Sequence, residues 1–277
     1  MLYGVLVAKQ RKKSDKHDEG RAKAKKPARR ERGASDRPEV PDGPGGFGAD
    51  DRPDIVVTVD VVVLALRDGV LSVLLVERGR APHLGSWALP GTVIGPEEEL
   101  VAAAARAVAA RTGVGVGPDR LDQLSTFDGC DRDTRTRVLS VGFVAVAERA
   151  TPPAGGAVAS GRWWAVQEVQ AKKGPVLAFD HGDILIAGLE QVRDELEWSD
   201  LAARLLEEPF TLGDLRRAYE AVWATSLEPA NFRRKVLATP GFVKPTGGRR
   251  SVTTGRPAEL YRRGEGVSLE PPLVRPR

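Results

Sequence analysis

The run IVVTVDVVVLAL at residues 55–66 is almost wholly β-branched or aliphatic, and it constrains the fold more than any other stretch of the chain. Branched side chains crowd a helical turn but sit well on a pleated strand. An apolar run without alternation implies a strand buried on both faces. Arg67, Asp68 and Gly69 supply turn chemistry, and VLSVLLVE at 70–77 follows as a second strand. The ordered part of the chain therefore opens with a hairpin in a largely buried sheet.

What precedes the hairpin has little to bury. Residues 1–53 hold Lys and Arg clusters followed by PEVPDGPGGFGADDRPD, a composition that predicts disorder. After the loop RGRAPHLGSWALPGT at 78–92, an Ala-rich helix is expected from Glu97 to Thr112, with acids in its first turn and Gly113 as its stop. The strands LDQLSTF, RVLSVGFVAVAE and GRWWAV come next, separated by DGCDRDTRT and RATPPAGGAVAS. A longer helical pattern runs from Asp180 towards Leu206 with a break near Trp198 and Ser199. Strands and helices mixed in this way make a compact α/β/α layer pattern.

From Pro209 a smaller unit begins. Thr211 and Asp214 have the spacing of a capping box, and Leu212, Leu215, Tyr219 and Val222 then recur at helical spacing. Pro229 suits a first helical turn, and Phe232 and Val236 share one face of ANFRRKVLA, which leaves Asn231, Arg234 and Lys235 outward. FVKPTGGRRSVTTGRPAELYRR reads as two short strands around a Gly- and Arg-rich loop, completing a helix-turn-helix-wing pattern. The expected division is a basic arm and linker at 1–53, an α/β/α domain at 54–207, a winged helix at 208–265 and a flexible tail at 266–277.

Charge is segregated along the chain. Residues 9–32 carry +8 and residues 211–263 carry +7, which, with +4 overall, leaves −11 for the remainder. Two basic stretches on an otherwise acidic chain are the footprint of nucleic-acid contact, since each neutralised phosphate releases a counterion. For the N-terminal arm, a solubilising tail is an equal reading. No apolar run is long enough to span a membrane and the opening MLYGVLVA is too short for a secretory signal, so a cytoplasmic location is expected. The lone Cys130 has neither a disulfide partner nor a zinc-ligand cluster around it.

WALPGTVIGPEEELVAAAARAVAARTGV resembles a degenerate Nudix box. In that family a helix stacks three glutamates at i, i+3 and i+4 to hold the magnesium that activates water against a diphosphate. This chain keeps Glu98, Arg106 and Gly113 of the pattern but has Thr92 at its first glycine, and the three metal-face positions become Ala107, Ala110 and Arg111. Alanines cannot ligate magnesium and an arginine repels it. No metal-dependent hydrolysis is expected, and Arg111 is the candidate to pair directly with a ligand diphosphate.

With the C-terminal part included, the chain resembles the NrtR family of Nudix-related transcriptional regulators over roughly residues 54–263. The resemblance rests on TVDVVVLAL, the WALPG loop and degenerate box, LAFDHGDIL at 177–185, and the winged-helix stretch. It implies a homodimeric regulator of NAD-metabolism genes with no cofactor and no membrane association, sensing ADP-ribose or a related nucleotide and binding double-stranded operator DNA. Its fold would be α+β: a Nudix-type α/β/α sandwich with a mixed sheet, then a winged helix. Carried over, Arg78, Trp87, Glu98, Arg106 and the loop around Asp131, Arg132 and Asp133 border the ligand pocket, to which Arg111 is added as the residue that departs from the family's glutamate. For Trp87, loop packing is an equal reading, as is a structural ion pair for Glu98 and Arg106; His181 reads first as structural. Asn231, Arg233, Arg234 and Lys235 would enter the major groove while Arg249, Arg250 and Arg256 meet phosphates. The alternatives are a Nudix hydrolase of ADP-ribose or another nucleoside diphosphate derivative, using magnesium and Glu97–Glu99, a ligand-free dimerisation scaffold in the Nudix part, and a protein-interaction module in place of the DNA-binding one.

Overall fold

A computed structural model describes residues 54–147, 161–251, 257–266 and 268–276. The basic arm at 9–32 and Arg256 of the wing loop lie outside the described residues. The first module contains β1 (Ile55–Arg67), β2 (Val70–Glu77), β3 (Trp87–Ala88), β4 (Gly91–Val93), α1 (Leu100–Thr112), β5 (Asp122–Phe127), β6 (Arg137–Ala147), β7 (Gly161–Ala165), α2 (Val166–Val169) and α3 (His181–Trp198). Then come α4 (Leu201–Arg204), β8 (Phe210–Thr211), α5 (Leu212–Trp223), α6 (Pro229–Ala238), β9 (Val243–Arg250) and β10 (Ala258–Arg263).

The apolar run folds as β1, the centre of a seven-stranded mixed sheet of order β3-β2-β1-β6-β5, with β4 also pairing with β1 and β7 with β2. β1 and β6 run parallel in register from Ile55 opposite Arg137 to Ala65 opposite Ala147, and β1–β2 is the antiparallel hairpin. The lack of alternation in β1 has the anticipated cause. Val59, Val61, Val63 and Ala65 pack under Ala103, Ala104 and Val108 of α1, while Val62 and Leu64 meet Ile184, Leu185 and Leu189 of α3 on the other face. This is the α/β/α sandwich.

The start of α1 differs from expectation. The helix begins at Leu100 with Glu99 at its N-cap and no acid in its first turn. The Glu98 carboxylate folds back instead, accepting from the Gly95 amide at 2.9 Å and from Arg106 at 2.6 and 2.7 Å, which holds 97–99 in an extended turn. Gly113 ends the helix in the left-handed conformation, φ 71°, where a side chain is disfavoured.

The winged helix forms as predicted in outline. Thr211 and Asp214 complete the capping box, Pro229 opens α6, and Phe232 and Val236 are buried. Two features were not anticipated: Glu228 caps α6 through the Ala230 and Asn231 amides, and the short β8 makes the wing a three-stranded sheet of order β8-β10-β9. The segment expected as a flexible tail also differs, because Leu269 and Leu273 are buried and their amides donate to the carbonyls of Trp198 and Glu197 at 2.7 and 2.9 Å. Those carbonyls end α3 and lack an intrahelical donor, so the tail supplies what the helix terminus needs. One apolar cluster runs from β1 and β2 through α3 and α4 into α5 and α6.

Candidate ligand cleft and DNA-binding face

The floor of the cleft is a buried polar network set into the apolar sheet. Asp60, in β1 and only 6% exposed, accepts from Ser140 Oγ of β6 at 2.6 Å and lies 3.6 Å from both Arg132 Nη2 and His181 Nε2. Arg132 donates to both oxygens of Asp180 at 2.8 and 2.6 Å, and despite burial the Asp180 and Asp60 carboxylates hold its guanidinium firmly charged. His181 Nδ1 accepts from the Leu89 amide at 2.8 Å, and burial lowers its pKa, so the ring is a neutral fixture between loop and helix. Gly91 is forced here: a Cβ would stand 2.1 Å from Asp60 Oδ1 and 2.8 Å from the Val59 carbonyl.

Above this floor opens a cleft of about 470 Å³ bordered by Arg78, Arg80, Arg111, Arg132 and Arg135. Arg135 is paired with Asp133 at 2.6 Å, and Arg132 is consumed by Asp180. Arg78 donates Nε to the Pro82 carbonyl at 3.0 Å and stacks its guanidinium 4.6 Å above the Phe179 ring. Among the described residues no carboxylate lies within ion-pair distance of Arg78, Arg80 or Arg111. Burial, and then the charges of Arg135 and Arg80, lower the pKa of Arg78. The cleft is thus rich in guanidinium charge, offset in part by Asp133, which opposes the fall in the Arg78 pKa, and by Glu77 at its edge.

Phe179 holds a left-handed backbone, φ 53°, unusual for a bulky residue and typical of ligand clamps. Its ring meets His83 edge-on at 4.7 Å. It also borders a second cavity of about 640 Å³, shared with Arg132 and Asp133 and lined by Asp128, Asp131, Asp180 and Asp183. Basic cleft and acidic cavity are therefore contiguous.

Of the sequence candidates, Arg78, Arg111 and Arg132 meet at the cleft, together with Asp133. Trp87 does not: it packs edge-on against Trp164 at 5.1 Å and borders a different groove, with Leu84 and Val176. Glu98 and Arg106 form an ion pair at 2.6 Å outside the cleft, with Arg106 also donating to Val93, and the pair holds the Glu98 carboxyl down at about 2. Asp60, Asp180, Phe179, Arg80 and Arg135 were missed. A lone acid within β1 was a visible signal for Asp60; the others depend on contacts between distant segments.

Magnesium does not fit the box helix. Ala107 is buried, Ala110 and Arg111 carry no carboxylate, Glu98 is committed to Arg106, and no group of three His, Cys, Asp or Glu side chains suited to a metal occurs among the described residues.

The second surface is α6 with the wing. Asn231, Arg233, Arg234 and Lys235 are all exposed, and Asn231 Oδ1 accepts from Arg234 Nη2 at 2.7 Å. The Tyr261 hydroxyl on β10 donates to Glu259 at 2.6 Å, and the Arg233 charge opposes the rise in the phenol pKa that burial causes. Arg249 is exposed on β9, whereas Arg250 donates to Asp214 at 2.9 Å and to the Pro209 carbonyl at 2.8 Å, tying the wing to the start of α5.

Fold and sites together define a class: a Nudix domain with an arginine-lined cleft and no carboxylate cluster on its box helix, joined to a DNA-binding winged helix. The NUDIX domain pattern matches residues 55–181, and the pattern described as the NrtR DNA-binding winged helix domain matches residues 202–263. The chain is 31% identical to Shewanella oneidensis NrtR, solved in complex with a 27mer DNA, covering 75% of this chain and 93% of that one with a TM-score of 0.62. It is 29% identical over 214 residues to the ADPR responsive transcriptional repressor NtrR of Acinetobacter baylyi, covering 76% of this chain and 83% of the relative. A MutT/nudix family protein from Enterococcus faecalis, 23% identical with a TM-score of 0.63 over 79% of this chain and 89% of its own, shares the fold. The chain belongs to the NrtR family. No helix among the described residues is long and apolar enough to cross a membrane.

Proposed function

We propose that this protein is a transcriptional repressor that binds operator DNA as a homodimer through α6 and the wing, and that ADP-ribose or a related nucleotide in the Nudix cleft releases it. The observation that carries this reading is the pairing, in one chain, of an arginine cleft that lacks metal-binding carboxylates with an exposed recognition helix. A domain that retains a pocket without hydrolytic machinery holds its ligand instead of consuming it. The cleft arginines suit a diphosphate; the neighbouring aspartates suit ribose hydroxyls, and Phe179 and His83 offer faces to a base. The relative from Acinetobacter baylyi is named as ADPR responsive, and the Shewanella protein was solved on DNA. Genes of NAD metabolism are the expected targets, and a cytoplasmic site of action accords with DNA binding.

The test is binding of the full chain to DNA upstream of its own gene at physiological salt, with excess nonspecific competitor to absorb the basic arm, with and without ADP-ribose. Selective binding relieved by ADP-ribose is expected. Selective binding without relief would leave the repressor without this effector, and absence of selectivity would overturn the DNA assignment. AMP release in magnesium would overturn the non-enzymatic reading.

A further inference from the structure

Residues 268–276 lie beyond the 202–263 stretch that the winged-helix pattern matches, yet they are built into the joint between the two modules. Leu269 and Leu273 are buried, and Ser268 pairs with Ser199 in an antiparallel bridge just past the end of α3. Pro271 and Pro272, between the leucines, restrict the segment and bring no amide donors that need partners, so less chain entropy is lost when it docks. Arg275 completes the attachment: its amide donates to Glu197 at 2.8 Å and its guanidinium to Glu190 at 3.1 Å. Glu190 also accepts from Arg193 at 2.6 Å, and Arg193 donates to the Val222 carbonyl of α5 at 2.9 Å. A polar chain thus runs from the tail through α3 to the winged helix. The last turns of α3 are gripped by two segments at once, the tail and the Tyr219–Trp223 stretch of α5.

We infer that residues 268–275 are an intramolecular brace: by clamping the end of α3 to α5 they fix the pose of the recognition helix relative to the cleft, and with it the response of DNA binding to ligand. The inference rests on the ligand-responsive repressor reading above and specifies how its two sites are coupled. No tail residue borders the cleft or belongs to α6 or the wing, so the segment has no direct part in holding ligand or DNA. α3 starts at His181 beside the cleft and ends at the carbonyls that the tail amides cap. A rigid helix carries a displacement of its head to a neighbour only where its far end is fixed to that neighbour; a loose joint absorbs the shift. Two properties follow. Loosening the brace leaves ligand affinity alone, because the cleft is untouched. It also lets α6 sample many poses, which weakens operator binding through lost preorganisation and uncouples it from the ligand.

Two full-length variants test the brace. Arg275→Glu sets a third carboxylate beside Glu190 and Glu197, and Leu273→Ser removes one apolar anchor; should the second unfold, the first carries the test. Each is titrated with DNA from upstream of the protein's own gene, with and without ADP-ribose, and with ADP-ribose alone by calorimetry. The pose is read separately, without DNA or ligand, from spin labels at Lys173→Cys and Leu237→Cys, both exposed positions, in a Cys130→Ser background. ADP-ribose affinity should match the parent, operator affinity should fall, and the distribution of label distances should broaden. The relief of DNA binding by ADP-ribose, about 5–150-fold for a typical coupling, should shrink to less than about twofold. Parent-like relief, an unbroadened distance distribution, or a loss of ADP-ribose affinity would each overturn the brace. If the parent itself shows no selective DNA binding or no relief, the repressor reading or its effector falls, and the label distances alone decide: broadening keeps the brace, and a parent-like width removes it.

Discussion

Arg132 illustrates how a residue placed at a pocket can act on structure. Its guanidinium is 6% exposed and spans Asp180 at the head of α3 and Asp60 in β1. Removing one partner of a buried pair leaves uncompensated charge, which costs about 3–5 kcal/mol. Arg132→Ala should therefore lose stability of that order in urea titrations, well beyond what losing one ligand contact would produce. His181 gives a pH signature beside it. Burial lowers its pKa in the folded state, opposed by Asp60 and Asp180 and assisted by Arg132 and Arg78. Below its ordinary value near 6.5 the unfolded chain binds a proton that the folded chain does not. Its contribution is thus complete above about pH 6.5 and declines as the pH falls below that value. His181→Gln, measured by thermal unfolding from pH 7.5 to 5, should flatten this part of the profile; an unchanged slope would assign it to other groups. Most of this network was illegible in the sequence, since Asp60, Asp180 and the Arg132–Ser140 stretch are far apart along the chain: the parallel β1–β6 pairing brings Ser140 to Asp60, and the packing of the head of α3 brings Asp180 to Arg132. Arg111 was legible because its position follows from helical spacing within one segment.

At the scale of elements, local signals were reliable where one segment contains all the information. The hairpin, the Thr211 capping box and the buried face of α6 each depend on neighbours within a few residues. The start of α1 was misplaced because the Glu98 side chain pairs with Arg106 two turns later, a contact that propensity does not encode. The α5–α6 unit is built to hold α6 rigidly. Tyr219 meets Phe232 edge-on at 5.5 Å, and Glu220 accepts from the Leu227 amide at 2.8 Å and from Arg216 at 2.6 Å, which fixes the intervening turn. On the exposed side, Asn231 orients the Arg234 fork. An arginine that reads a base and one that meets phosphate have separable signatures. Arg234→Ala should cost about 1–3 kcal/mol on the operator and relax specificity, whereas Arg249→Ala should weaken all sequences alike and lower the salt slope. Gel-shift titrations on operator and scrambled DNA at two salt concentrations distinguish them. Arg250, bound to Asp214 and Pro209, is expected to act through the placement of the wing.

At the scale of the molecule, α3 links the two sites. It begins at His181 beside the cleft and, at 18 residues, extends roughly 27 Å to the junction with the winged helix. There Arg193 Nε donates to the Val222 carbonyl at 2.9 Å, the Trp223 indole donates to the Arg193 carbonyl at 3.0 Å, and the Tyr219 hydroxyl donates to the Leu196 carbonyl at 3.2 Å. The C-terminal segment closes the joint from the other side, with Leu269 fully buried in the cluster shared by β1, α3 and α5 and Arg275 bonded to Glu190 and Glu197. Since the core is continuous across this junction, the winged helix should not melt as a separate unit. Leu269→Ala removes a buried leucine from the joint and should cost about 2–5 kcal/mol. It should lower the stability of both modules together, so that hydrogen exchange in β1 and in α5 accelerates by a similar factor. Acceleration confined to α5 and α6 would instead mean that the modules open independently, and that a change at the cleft reaches the recognition helix by some route other than a shared core.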